Sequence, residues 1–154
     1  MKPIAEIVET KEFKIQAFNN AVNSYSRSNP GNQFLYRDSF TNRIIIQNIN
    51  DNHPRIPYSE IAVFKNYDFL NDRDIVDEKF KQNLEEIRTE LKKVMTDFEY
   101  EETFTINFRS ILDAYGFADA NEMWSCEEFV NAIHERENQI IKRLNPIETL
   151  VENL

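Results

Sequence analysis

Apolar residues fall at Val76, Phe80, Leu84, Ile87, Leu91, Val94 and Phe98, at steps of three and four. That spacing puts them on one side of an α-helix and predicts a helix from Val76 to Phe98, roughly 35 Å long at 1.5 Å per residue. A second stripe, Cys126, Phe129, Val130, Ile133, Ile140 and Leu144, follows the capping-box pattern Ser125-Cys126-Glu127-Glu128. Asn145-Pro146 is its expected end, with Ile147, Leu150, Val151 and Leu154 as a short helical tail. At the N-terminus, Ile15, Phe18, Val22 and Tyr25 predict a helix over Pro3 to Ser26. Thr10 is a candidate cap there, and Ile4, Ile7 and Val8 form either a separate first turn or a bent extension. Phe104, Phe108, Ile111, Leu112 and Tyr115 suggest a helix from about Thr105 to Tyr115, stopped by Gly116. Asp119 and Glu122 match the Asp variant of the capping box.

Between the first helix and the long one the pattern changes period. Phe34-Leu35-Tyr36 and Arg43-Ile44-Ile45-Ile46-Gln47 are aromatic and β-branched, and Asp38 to Asn42 connects them. They read as a hairpin. Pro54 and Pro57 make Asn50 to Pro57 a loop. Ile61 to Phe64 is a third strand or a buried helical turn; periodicity does not choose. The expected fold class is α+β in a single domain over residues 1–154. Residues 1–72 hold a helix and a small antiparallel sheet of two or three strands. Residues 73–154 hold the long central helix and a helical, acidic C-terminal part.

Charge sharpens that division. Residues 1–70 carry eight Lys/Arg and seven Asp/Glu, residues 71–154 ten and twenty. From Asp97 to Glu128 nine acids face one base, Arg109. Such a field repels nucleic acid and anionic lipid and attracts basic proteins. Acids are favourable at helix N-termini, which accounts for Asp119, Glu122, Glu127 and Glu128. Asp97, Glu99, Glu101 and Glu102 follow a helix C-terminus, where the dipole disfavours them. They call for a use elsewhere or a nearby cation such as Arg109.

Most familiar chemistries lack their residues. Two glycines, Gly31 and Gly116, cannot build a phosphate-cradling loop. The one cysteine, Cys126, forms no intrachain disulfide and lies on an apolar stripe, so it reads as a core residue. With two histidines and one cysteine, a transition-metal site has too few ligands. His134 has only Asn131 and Glu137 within a helical turn and reads as a helix-face histidine. Glu90-Leu91-Lys92 resembles a nuclease fragment, but on a helix residues i and i+2 point apart. Arg27, Arg37, Arg43 and Arg55 near Tyr36, Phe40 and Tyr58 give too weak a basic footprint for nucleic acid.

The expectation is therefore a cytoplasmic, non-catalytic protein-binding module without cofactor or metal. Its acidic surface would dock on a basic, nucleic-acid-binding partner, as immunity, anti-restriction or anti-CRISPR inhibitors do. Asp97, Glu99, Glu101 and Glu102 are the first candidate contacts, Glu127 and Glu128 the second. The alternatives are a homodimer or other oligomer seamed by the two apolar stripes, and an enzyme with dispersed carboxylates. No run is long enough to span a membrane, and no secretory signal is visible.

Overall fold

The structure, a computed structural model, describes residues 1–28, 35–37, 44–46, 56–57 and 78–152. Val76, Ile61 to Phe64, His53, the predicted connections and Leu154 lie outside the described residues. In chain order the elements are α1 (Ile4–Ile7), α2 (Lys11–Ser28), β1 (Leu35–Arg37), β2 (Ile44–Ile46), β3 (Ile56–Pro57), α3 (Glu78–Asp97), α4 (Phe108–Tyr115), α5 (Ala120–Ser125) and α6 (Glu127–Glu152).

The body is helical, which overturns the α+β expectation. Helix α6 packs along both α2 and α3. Phe13, Ala17, Phe18, Ala21 and Val22 of α2 share one core with Ile87, Leu91 and Val94 of α3 and Phe129, Ile133, Ile140, Leu144 and Ile147 of α6, all nearly or fully buried. Every buried residue described lies on a helix, except Phe117 just after α4. The β-branched runs do take extended backbone: β2 pairs antiparallel with β1, Tyr36 opposite Ile45, and with β3, Ile46 opposite Ile56. But these segments are three, three and two residues long, short of the commonest strand length of about five or six. The helical stripes satisfy one another, and no sheet layer supplies the described core.

Among the described residues this mutual burial takes up the middle of both long stripes within one chain. Ile87 and Leu91 on one, and Phe129, Ile133, Ile140 and Leu144 on the other, have no exposed surface. Among the described residues the exposed large hydrophobics are Met1, Phe108 and Trp124, which do not form a helical seam.

Helix boundaries follow local chemistry. The first helix is split: Thr10 Oγ1 donates to Ile7 O at 2.7 Å and accepts from Phe13 N at 3.2 Å, closing α1 and capping α2. Helix α4 starts at Phe108 rather than Thr105, because Asn107 caps it by accepting from Ser110 N at 2.8 Å. Gly116 ends it in the left-handed region at φ 76°. Asp119 accepts from Glu122 N at 2.8 Å, and Glu122 accepts from Ala118 N at 3.1 Å. Ser125 is not a cap: it is the last residue of α5, and Cys126 is the extended joint before α6.

Helix α6 also runs through Pro146 to Glu152, where the sequence suggested a stop. Proline removes one donor, the one that would serve Lys142 O four residues back. Lys142 and Pro146 are exposed, so water can satisfy that carbonyl. Ile147, 2% exposed, continues the buried stripe past the proline.

Candidate functional site

The first candidate acids surround the C-terminal end of α3. Its last turn closes with the Glu99 N–H on Thr96 O at 3.1 Å and the Tyr100 N–H on Met95 O at 2.8 Å. That is the same double closure that Gly116 and Phe117 make on Asp113 and Leu112 after α4. Here the left-handed position is held by Glu99, at φ 54°, which a non-glycine residue seldom adopts.

Cations from two other helices neutralise this end. Lys14 of α2 bridges Glu99 at 2.7 Å and Glu9 at 3.7 Å. Lys11 pairs with Glu101 at 2.8 Å and lies over the Phe104 ring. From α6, Arg143 pairs with Asp97 at 2.7 Å. Arg136 Nη2 donates to Phe98 O at 2.9 Å, over the Phe98 ring. The hydrogen bond and charge of Lys14, with a smaller contribution from Arg136, hold the Glu99 carboxyl below the ordinary carboxylate range. Glu102 is partly buried and is also engaged. The cations that answer the unfavourable helix end are thus Lys11, Lys14, Arg136 and Arg143. Arg109 is turned to Asp113, at 3.5 Å on its own helix.

The second candidates are placed differently. Glu127 and Glu128 open α6, are exposed, and make no ion pair or side-chain hydrogen bond among the described residues. Just before them in sequence, Trp124 is 47% exposed. Its ring meets the edge of Phe129 at 5.8 Å between centroids. Phe129 in turn contacts Phe13, Tyr115 and Phe117, so Trp124 stands on a packed aromatic floor. Burial raises the Tyr115 hydroxyl pKa far above its ordinary value, with Glu12 adding to the effect, and that hydroxyl donates to Gln16 Oε1 at 2.7 Å. Met1, 52% exposed, brings its Sδ to 3.3 Å from Cys126 Sγ. Cys126 is therefore partly buried at the joint rather than deep in the core. The exposed caps Asp119 and Glu122 of α5 add further negative charge.

Glu137 occupies the buried stripe of α6 at 9% exposure. Its two oxygens are satisfied by Asn20 Nδ2 at 3.0 Å and His134 Nδ1 at 3.1 Å, which ties α6 to α2. The position was legible only as the gap between Ile133 and Ile140. Trp124 had a plainer signal: it is the sole tryptophan and falls between two capping patterns. Among the described residues no three His, Cys, Asp or Glu side chains converge as a metal site would require.

No family model, no curated protein and no solved structure matches the chain. Among the described residues no helix is long and apolar enough to cross a membrane.

Proposed function

We propose that this protein is a non-catalytic, cytoplasmic protein-binding module that docks an acidic surface on a basic, nucleic-acid-binding surface of a partner. It would act as an inhibitor by occupying the site that nucleic acid uses. The observation that carries this reading is the half-exposed Trp124 beside the unpaired carboxylates Glu127 and Glu128. Tryptophan is among the residues most enriched at interface hot spots, and neighbouring like charges steer a basic partner and help to fix its orientation. Asp97, Glu99 and Glu101 are already neutralised within the chain, so they add less to an outward field than their number suggests.

The test starts from capture of a basic partner from the native host and its identification by mass spectrometry. Affinity is then measured across salt for the wild type, Trp124→Ala, and Glu127→Lys with Glu128→Lys. The expected result is affinity that falls as salt rises, and a loss of tenfold or more in each variant. Affinity indifferent both to salt and to these substitutions overturns the reading.

A further inference from the structure

The groove between the C-terminal half of α3 and α6 is the exception to the acidic character of the C-terminal part. A cavity of about 460 Å³ there is lined by Thr89, Lys92, Lys93, Thr96, Asp97 and Arg143. The first four sit at positions i, i+3, i+4 and i+7 of α3, so they form one polar face of that helix, and Arg143 stands across from them on α6. Three of the ten basic residues after position 70 thus line one cavity, in a segment with twice as many acids.

Counting donors and acceptors around the wall gives a surplus of donors. Asp97 takes one guanidinium nitrogen of Arg143, Nη2 at 2.7 Å, and a guanidinium has five N–H groups. Glu90 takes one proton of Lys93, at 3.0 Å, and an ammonium has three. Lys92 is exposed and makes no ion pair among the described residues. Thr89 turns its own proton inward to Glu85 O at 2.9 Å. A ligand that satisfies these groups must bring several acceptor oxygens and negative charge. Lysine and arginine together on a threonine-bearing face suit the tetrahedral oxygens of phosphate.

We infer that this α3–α6 groove is a binding site for a small phosphorylated molecule, held by Lys92, Lys93 and Arg143. An adjoining cavity of about 300 Å³ shares Arg143 and is also lined by Glu86, Glu90, Val94, Pro146, Ile147 and Leu150. Arg143 therefore stands between a lysine-lined compartment for the phosphate and a second one, of mixed apolar and acidic lining, for the body of the ligand. None of these residues belongs to the Trp124 surface, so the two assignments stand or fall separately.

The probe is inorganic pyrophosphate, titrated into the full chain and followed by amide cross-peaks in ¹⁵N–¹H NMR. Sodium chloride at matched ionic strength and citrate are the comparison arms. The expected result is saturable shifts confined to residues 89–97 and 142–147 with pyrophosphate, none with chloride, and at least fivefold weaker binding in Lys92→Gln. The doubly substituted Lys92→Gln, Lys93→Gln chain loses saturable binding. Both lysines are exposed, and the helical circular dichroism of the variants checks that they fold. Equal binding of citrate reassigns the site to carboxylates and overturns the phosphate assignment. The absence of saturable shifts, shifts spread over Lys2, Lys11 and Lys14, or unchanged binding in Lys92→Gln overturns the site.

Discussion

Two acidic regions that look alike in sequence differ in what surrounds them. At the end of α3, Asp97, Glu99 and Glu101 are each within 2.8 Å of a cation from α2 or α6. At the start of α6, Glu127 and Glu128 face solvent, and among the described residues the helix dipole is their only fixed counter-charge. The first region joins three helices through ion pairs between side chains that are mostly half exposed. The second is held from below by an aromatic core and leaves its charge outward. A run of like charge therefore says little about function until its partners in the fold are known.

The comparison breaks most visibly if the aromatic floor is removed. Phe129→Ala empties a fully buried site under Trp124 and should cost about 3–5 kcal/mol in denaturant unfolding. Trp124→Ala, whose ring is half in solvent already, should cost only about 1–2 kcal/mol. Similar losses in both would mean that Trp124 is a core residue and not a surface anchor.

Gly116→Ala comes next. A Cβ there would lie 3.0 Å from Lys2 N, in a backbone held at φ +76°. The left-handed conformation alone costs a non-glycine residue roughly 1–2 kcal/mol, and the N-terminal residues that bring Met1 to Cys126 would have to shift. Thermal unfolding checks the loss. A neutral effect would show that the Met1 contact is not fixed by that close approach.

The ion-paired region should announce itself through pH. Lys14 holds the Glu99 carboxyl below its ordinary 4.5. A depressed carboxylate stabilises the fold above its unfolded pKa, and the contribution is lost as pH falls through the folded value. The difference in melting temperature between the wild type and Lys14→Gln should be full at pH 7 and close on acidification below about pH 4.5. A difference that persists unchanged in acid would assign the effect of Lys14 to packing of its buried stem.

The smallest effect belongs to the open region. Glu127→Gln and Glu128→Gln remove favourable dipole interactions, each worth about 0.3–1 kcal/mol at low salt. Melting in low and high salt should show that modest loss fading with screening. A large, salt-independent loss would reveal a structural role for carboxylates that have no partner in the described fold.

The helical periods carried much of this architecture. The regular steps of α3 and the caps Thr10, Asp119 and Gly116 follow from local backbone chemistry, which operates within one turn and can be read in order. What failed was tertiary. Ile44–Ile46 has strand chemistry and does pair with its neighbours, but it is a three-residue segment beside a helical body and does not set the fold class. Pro146 stops an isolated helix, but here the exposed side of α6 absorbs the lost donor. Glu99 in a position usually given to glycine has no local signature, because Lys14, more than eighty residues away in sequence, helps to hold it. For the same reason the cations that neutralise the end of α3 could not be chosen in advance from the next base along the chain, Arg109.

The proposed partner-binding face is the start of α6, not the end of α3. It is tested most directly by measuring the affinity of the captured basic partner for two neutralised chains. One carries Glu127→Gln and Glu128→Gln, the other Glu99→Gln and Glu101→Gln. Weaker binding with a reduced salt dependence is expected in the first and near wild-type binding in the second. The reverse order, or equal losses in both, would contradict it.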